Sequence, residues 1–326
     1  MIEEIAANLY KIELPLPRNL LKSVNCYLIK GSEQSLLVDT GMNEIECLEA
    51  LRVALQRLTV DLNKTDFFIT HLHLDHIGLV SELATSNSKI YFNKKESFLL
   101  KRADFWTHAA YPAVRISGFD KDEFDHVKEM FPENRYGPRA DIVFYVLSEG
   151  NDIKIDDGCL TCIETPGHSP GHLCLYDATK KLLFSGDHLL GDITPNISGL
   201  DFFFDGEDNP LKKYLESLEK VYGLEVCLVL PGHRPPFHNH RKRIHELQRH
   251  HEMRAREILS ILEDEDGLTA YEIAARMTWE INGPWTDFPP AQKWFAAGEA
   301  FAHLLYFLNK GEVRKKTGKG AWRYFL

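Results

Sequence analysis

The sequence predicts an α+β fold, with a large N-terminal domain over residues 1–240 and a small, mainly helical domain over 241–326. Two observations predict it. Apolar runs bounded by Gly and Pro alternate with amphipathic stretches up to about residue 240, which is typical of strands interleaved with helices. Beyond that point the apolar residues recur at helical spacing. A chain of 326 residues with 44% apolar content is long enough for one large core and a satellite domain.

Strands open the chain. Runs rich in apolar residues, each ending at Gly, Pro or a polar residue, predict strands at 8–17, 25–31, 34–41, 65–70 and 89–93. Residues 43–58 carry apolar side chains at helical spacing, which predicts an amphipathic helix between the third and fourth of these strands.

A helical insert is predicted over about 94–140, where aromatic residues are frequent and strand patterning stops. As a hypothesis, this insert and residues 196–206 form a lid and a wall for a substrate with an apolar part. Ordinary helix packing explains the aromatic residues equally well. Strand patterns resume within 141–155, 159–167, 172–187 and 226–233, and an amphipathic helix is predicted over 209–223.

The C-terminal domain is predicted to hold three helices, over 241–263, 269–279 and 291–311, and a hairpin over 312–326. This order indicates a small winged-helix-like unit. Its first helix carries His245, His250 and His251, for which a solvated face is the expected position.

Charge and composition exclude several classes of protein. The net charge of −10 is uneven, with 24 basic against 36 acidic residues up to position 240 and 14 against 12 beyond it. The acidic large domain disfavours general nucleic-acid binding. The chain lacks a run of ~18 apolar residues and the first ten residues lack a signal-peptide pattern, so no membrane association and a cytoplasmic location are expected. The six cysteines do not suggest a disulfide framework, and the C-x-x-C of Cys159 and Cys162 lies in a predicted strand.

The segment THLHLDHIG at residues 70–78 concentrates side chains that bind metals. His71 and His73 are two positions apart, so on an extended segment both imidazoles face the same way and can bind one ion. Asp75 and His76 follow, and a turn there would aim them at a neighbouring point. Imidazole nitrogen and carboxylate oxygen suit Zn²⁺ and similar divalent ions.

Further candidate ligands stand where other apolar strands stop. His168 lies in the Gly/Pro turn of ETPGHSPGH, Asp187 ends LLFSGD, and His233 ends CLVLPGH. Each alone is an ordinary loop residue. Together with THLHLDHIG they indicate that these residues converge on one metal-binding region.

The order LVDTG, HLHLDH, GHSPGH, SGD and PGH, over about residues 10–240, resembles the metallo-β-lactamase superfamily of metallohydrolases. The resemblance implies a four-layer αβ/βα sandwich, with two mixed sheets packed face to face between helices and the metals at the sheet edge. It implies that a first metal is bound by His71, His73 and His168, a second by Asp75, His76 and His233, and both by a bridging Asp187. Asp39 is implied to support the site from beneath.

Two departures narrow the resemblance. Asp187 argues against a class B lactamase, because those enzymes lack a bridging aspartate at this motif. His73 stands where flavodiiron oxygen reductases have a glutamate, which disfavours a di-iron redox role.

The implied cofactors are two divalent metal ions, with Zn²⁺ expected first and Fe or Mn as alternatives. Two such ions ~3.5–4 Å apart can share one hydroxide, so no separate serine or cysteine nucleophile is needed. Asp75 is a candidate to accept a proton from the attacking water. His172 is expected to hydrogen-bond a ligand, and His188, which follows the bridging aspartate, is a candidate catalytic residue.

Three functions are compatible with this site. The first is a binuclear hydrolase that uses a metal-bridging hydroxide on a small ester, thioester or lactone, similar to glyoxalase II. The second is a phosphodiesterase or endoribonuclease whose C-terminal domain binds nucleic acid through the cations and aromatic residues of 314–325. The third is a non-catalytic regulatory or binding protein, against which the complete ligand set argues. A small-molecule substrate is the expected partner, and the C-terminal domain leaves a homodimer open.

Overall fold

The computed structural model describes residues 1–17, 19–100, 105–130, 138, 142–200, 209–281, 283–318 and 320–326, and for 105–110 and 128–130 it describes the backbone alone. The chain forms two compact units. The first unit holds residues 1–101, 133–195 and 217–244, and the second holds 102–132, 196–216 and 245–326. The predicted domain boundary at residue 240 stays a prediction. Parts of the predicted lid and wall, at 101–104, 131–137, 139–140 and 201–206, lie outside the described residues.

A mixed sheet of seven described strands forms one layer of the first unit. In spatial order these strands are β1 (Ile2–Ala6), β2 (Leu9–Pro15), β3 (Ser23–Ile29), β4 (Ser35–Val38), β5 (Thr65–Phe68), β6 (Ile90–Asn93) and β7 (Tyr145–Leu147). Neighbours are antiparallel from β1 to β4 and parallel from β4 to β7. The strand β1 was not predicted, because its IEEIA pattern lacks the apolar alternation of a half-buried strand.

A second mixed sheet of five described strands forms the facing layer. The strands are β8 (Asp152–Ile155), β9 (Gly158–Glu164), β10 (Leu173–Asp177), β11 (Leu182–Gly186) and β12 (Leu228–Pro231), in the spatial order β12-β11-β10-β9-β8. Only the pair β11 and β12 is parallel among these strands. In β9, Cys159 is exposed and Cys162 is buried, as expected for a strand rather than a paired-thiol site.

The inner faces of the two sheets share one apolar core. The core side chains from the first sheet are Leu9, Tyr27, Leu36, Val38, Phe68 and Leu147, and those from the second are Ile153, Ile155, Leu160, Cys162, Leu173, Leu175, Leu182, Phe184 and Leu230. The rings of Tyr27 and Phe184 meet edge to face, with their centroids 5.6 Å apart. Burial of these side chains at roughly 25 cal/mol per Å² holds the two sheets together.

The helices of the first unit are short apart from α1. They are α1 (Ile45–Arg57), α2 (Leu74–Ile77), α3 (Val80–Leu83) and α4 (Lys94–Leu100). Helix α1 packs against β2 and buries Cys47, Leu51, Ala54 and Leu55. The predicted amphipathic helix at 43–58 is therefore confirmed.

The second unit is mainly helical over its described residues. Its elements are α5 (Phe105–Ser117), α6 (Lys121–Met130), α9 (Ala270–Ala274), α10 (Pro290–Lys310) and the hairpin of β13 (Arg314–Gly318) and β14 (Ala321–Phe325), while α7 (Pro210–Tyr222) and α8 (His240–Asp264) belong to both units. A capping box between Thr269 and Glu272 starts α9. Gly311 ends α10 with a φ of +74°.

The α+β fold class and the three C-terminal helices with their hairpin are confirmed. The winged-helix character of these elements stays a prediction. The expected solvated position of His251 is wrong: its side chain is buried beside His303 and Tyr214 in the second unit. Within the described residues, none of the helices has the length and apolarity required to cross a membrane.

Candidate metal centre

The predicted ligands stand just beyond the carboxyl ends of strands in the first unit. Strands β4 and β5 end level with each other, since Val38 pairs with Phe68, and His71 follows three residues later. Strands β11 and β12 also end together, where Gly186 pairs with Pro231, and Asp187 and His233 follow. A hydrogen bond from Leu173 N to Thr70 O, 2.9 Å long, joins the two sheets at this edge. The shared edge therefore brings residues far apart in sequence to one place.

The first group of candidate ligands is His71, His73 and His168. Nδ1 of His73 lies 3.0 Å from Nε2 of His71 and 2.9 Å from Nε2 of His168. His71 and His168 are buried, and His73 is half-buried. Three imidazole nitrogens at these separations can bind one ion.

The second group is Asp75, His76 and His233. Nε2 of His233 lies 3.3 Å from Oδ2 of Asp75, and Nε2 of His76 lies 3.9 Å from Oδ1 of Asp75. Both imidazoles are buried, whereas 15% of the Asp75 side chain is exposed. Asp75 is therefore the member of this group that a molecule entering from solvent can reach.

Asp187 lies between the two groups. Its Oδ2 is 3.6 Å from His168 Nε2 and 3.5 Å from His233 Nε2, and its Oδ1 is 3.5 Å from His76 Nε2. Gly232 leaves room for this carboxylate, because a Cβ at residue 232 would lie 2.5 Å from Asp187 Oδ1 and 2.7 Å from His76 Cε1. A side chain at position 232 would displace the Asp187 carboxylate and the His76 ring.

Hydrogen bonds to the remote ring nitrogens orient three of the imidazoles. Asp39 accepts hydrogen bonds from His76 Nδ1 at 2.7 Å and from Thr70 Oγ1 at 2.9 Å. Because Thr70 donates its only hydroxyl proton to Asp39, it accepts from His71 Nδ1 at 2.9 Å. His233 Nδ1 donates to Ser23 O at 2.7 Å. In each ring Nε2 then faces the site, where it offers a lone pair to a metal once the ring is neutral.

His172 supports the backbone of Asp187. Its Nε2 accepts a hydrogen bond from Asp187 N at 3.2 Å, so its proton is on Nδ1, which donates to Thr165 Oγ1 at 2.8 Å. Burial, followed by the nearby imidazole of His188, holds the pKa of His172 well below its usual range. A neutral ring suits this hydrogen-bond pattern.

His188 is fully buried, and its ring centroid is 6.1 Å from that of His172. Burial and the imidazole of His168 lower its pKa to about 3. His188 belongs to none of the ligand groups found among the described residues. Its role as a catalytic residue stays a prediction.

The charges of the cluster favour a cation. Burial lowers the pKa of His71 and lowers that of His73 to about 3, so both imidazoles present neutral lone pairs. Burial alone would raise the pKa of Asp187, but the imidazoles of His233 and His76 hold it well below its usual range. The carboxylates of Asp187 and Asp75 outweigh burial and raise the pKa of His233 to about 10. The carboxylates therefore stabilise positive charge beside them, which is a proton on His233 in the metal-free protein and would be a metal ion in the loaded protein.

Three buried atoms among the described residues also point to bound cations. His76 Nε2, Asp187 Oδ1 and His233 Nε2 are inaccessible to solvent and make no hydrogen bond of ordinary geometry. Buried polar atoms in folded proteins are almost always paired. Divalent ions coordinated by these atoms would provide the partners, so the donor set fits such ions.

Sequence patterns did not reveal Glu96 in α4, which is 0% exposed and contacts both histidine-bearing loops. Three positions earlier, Asn93 Oδ1 accepts a hydrogen bond from Lys95 N at 2.7 Å. An Asn followed by Glu at the third position resembles a helix start, so the sequence offered no reason to place Glu96 at the site.

Facing mixed sheets with clustered histidines and aspartates at one edge define a class of metallohydrolases. Residues 20–233 match the family model described as the Metallo-beta-lactamase superfamily, and the chain belongs to that superfamily. It is a hydrolase of the metallo-β-lactamase fold, and its His/Asp cluster implies divalent metal ions.

Proteins of known sequence or structure resemble this chain over different lengths. A Caenorhabditis elegans protein named beta-lactamase-like protein 2 homolog is 27% identical over 266 residues, which cover 81% of this chain and 73% of that protein. A Bos taurus protein named as an acyl-coenzyme A thioesterase is 27% identical over 169 residues, covering 50% of this chain and 57% of that protein. The crystal structure of a metallo-β-lactamase family protein from Thermus thermophilus superposes with a TM-score of 0.81 at 25% identity and 99% coverage of both chains.

Proposed function

We propose that the protein is a binuclear metal-dependent hydrolase of small esters, thioesters or lactones, with acyl thioesters as the preferred class. The position of Asp187 supports two metal sites, because its carboxylate lies within 3.6 Å of imidazoles from both ligand groups. A single ion bound by one group would leave the other group's buried donors without a partner. The name of the bovine relative supports the preference for thioesters.

His71, His73 and His168 would hold one ion, Asp75, His76 and His233 the other, and Asp187 both. When bound, divalent ions acidify water and polarise a substrate carbonyl. Asp75 would accept the proton of the attacking water, because its side chain is more exposed to solvent than that of Asp187, 15% against 10%. Zn²⁺ is the expected metal for this mixed nitrogen and oxygen donor set.

Three buried cysteines of the first unit do not offer a competing nucleophile. Burial raises the pKa of Cys47, Cys162 and Cys174 to about 12, so these thiols are protonated at neutral pH. Attack by activated water is therefore favoured over attack by one of these thiols through a covalent thioester intermediate.

A chelator-controlled substrate panel tests this function. The panel contains p-nitrophenyl acetate, S-lactoylglutathione, a short acyl-coenzyme A and bis-p-nitrophenyl phosphate, each assayed with metal-replete and chelator-treated protein. We expect turnover of the ester and thioesters that chelation removes and that added Zn²⁺ restores. Turnover unaffected by chelation, or fewer than two ions per chain at full activity, would contradict the proposal.

The observation that supports the phosphodiesterase alternative is the row of exposed cations Arg314, Lys315 and Lys316 on β13. Preferential turnover of bis-p-nitrophenyl phosphate in the same panel would favour it. The acidic composition of the first 240 residues argues against it.

A further inference from the structure

We infer that Glu96 is a positioning residue that holds two ligand loops of the metal centre at a fixed separation. The first ligand loop is residues 71–76 and the second is residues 168–172. This inference rests on the proposed function, because it concerns how tightly the metal ligands converge. It assigns Glu96 no contact with substrate or metal.

The carboxylate of Glu96 hydrogen-bonds both loops at once. Its Oε2 accepts from Leu72 N, between His71 and His73, at 2.8 Å. Its Oε1 accepts from Ser169 Oγ at 2.9 Å and from Gly171 N at 2.5 Å. Glu96 and Ser169 are buried, so these hydrogen bonds are not exchanged with water. One side chain therefore links loops that contribute all three ligands of the first group.

Close packing at Gly171 makes this link possible. A Cβ at residue 171 would lie 2.4 Å from Asn93 Oδ1 and 2.9 Å from Glu96 Cγ. Only glycine allows the backbone of the second loop to approach α4 so closely. Asn93 also contacts the end of β9, where its Nδ2 lies 3.5 Å from Glu164 Oε1. Residues 93–96 thus contact both the second loop and the end of the strand that precedes it.

A carboxylate is required at position 96, because both of its oxygens accept hydrogen bonds. A glutamine has one acceptor oxygen, and its amide nitrogen is a donor. If the glutamine oxygen faced Ser169 and Gly171, the amide would oppose the N–H of Leu72. In the reverse orientation it would oppose the N–H of Gly171. Glu96→Gln therefore keeps the volume of the side chain but, in either orientation, sets its amide against a backbone N–H of one loop.

The test measures metal affinity and ligand geometry in the full-length protein. Zn²⁺ affinity is measured by competition with a chromophoric chelator, and ligand geometry by the visible spectrum of the Co²⁺-loaded protein. We expect Glu96→Gln to weaken Zn²⁺ binding by about 10- to 100-fold, as is typical when a group that supports a ligand is lost. We also expect its Co²⁺ spectrum to change.

Two controls separate positioning from general damage. Glu149→Gln removes a carboxylate that accepts a backbone N–H from Glu164 at 2.7 Å but contacts neither loop. Leu36→Ala removes a core side chain of the same unit and lowers stability without touching the loops. Both variants should retain the wild-type spectrum and Zn²⁺ affinity when compared at equal folded fraction.

A folded Glu96→Gln protein with wild-type affinity and spectrum overturns the inference. If Glu96→Gln does not fold, Ser169→Ala decides, since it removes one of the three hydrogen bonds. We expect a few-fold loss of Zn²⁺ affinity, and unchanged affinity overturns the inference. Wild-type protein that binds no Zn²⁺ overturns the proposed function and this inference together, whereas a normal wild type with normal variants overturns this inference alone.

Discussion

At the scale of single residues, the site depends on which ring nitrogen of each histidine carries a proton. Asp39 sets this choice for His76 directly and for His71 through Thr70. Asp39 has a φ of +58°, a left-handed conformation that aspartate tolerates better than most residues. The residue is therefore constrained by its backbone and by its two acceptor oxygens.

Replacement of Asp39 by asparagine tests this dependence. Oδ1 of Asp39 accepts from Thr70 N at 2.9 Å, while Oδ2 accepts from His76 Nδ1. An asparagine oxygen that keeps the Thr70 bond points its NH₂ group at His76, which must then carry its proton on Nε2. We expect Asp39→Asn to lose about 10- to 100-fold in metal affinity, measured as metal retained per chain against a competing chelator.

The matched control is Asp66→Asn, since Asp66 is also buried and accepts hydrogen bonds from Lys89 N and Gln34 Nε2 at a distance from the ligands. This control should retain its metal. Equal retention by the two variants would contradict the assignment of the His76 tautomer.

At the scale of secondary structure, much of the candidate site could be predicted because strands end where the candidate ligands begin. Buried runs such as TDFF and LLFSG end at THLHLDHIG and Asp187, and such endings are visible in sequence. Glu96 could not be predicted, because it meets its partners, two backbone N–H groups and the Ser169 hydroxyl, only through the way α4 packs. The burial of His251 was missed for the same reason, since the helical pattern of α8 does not reveal which neighbour covers it.

The burial of His251 on α8 predicts a pH-dependent stability. Burial, with the adjacent imidazole of His303, lowers the pKa of His251 to about 3. Below about pH 6.5 His251 is protonated in the unfolded chain but stays neutral in the folded chain. The free energy of unfolding therefore falls as the pH drops from 6.5 towards 3. At pH 5 the loss from this group is about 2 kcal/mol.

Urea unfolding at pH 7.5 and pH 5 measures this effect in the metal-free protein. We expect His251→Gln to lose less stability between the two pH values than the wild type does. His245→Gln, on an exposed position of the same helix, should keep the wild-type pH dependence. Identical pH dependence in the wild type and His251→Gln would show that His251 is accessible to protons in the folded state.

At the scale of the whole molecule, the charge distribution constrains the substrate. The first 240 residues carry 24 basic against 36 acidic residues, and they contain all the metal-centre side chains. An anionic substrate approaches such a surface against a repulsive field, whereas a neutral ester does not. A substrate held by the cations of β13 would instead be attracted. Added salt should therefore strengthen binding of the repelled substrate and weaken binding of the attracted one.

Salt therefore distinguishes the thioesterase from the ribonuclease hypothesis. Ions shorten the Debye length from about 10 Å at 0.1 M, which weakens repulsion and attraction alike. For a short acyl-coenzyme A we expect KM to fall as NaCl rises from 50 to 300 mM, while KM for p-nitrophenyl acetate stays within about twofold. Lys315→Glu combined with Lys316→Glu should leave both KM values unchanged.

Nucleic-acid binding through β13 would show the reverse, because affinity for a phosphate backbone falls steeply with salt and with each cation removed. An RNA cleavage activity with that salt response, abolished by the double variant, would replace the thioester assignment.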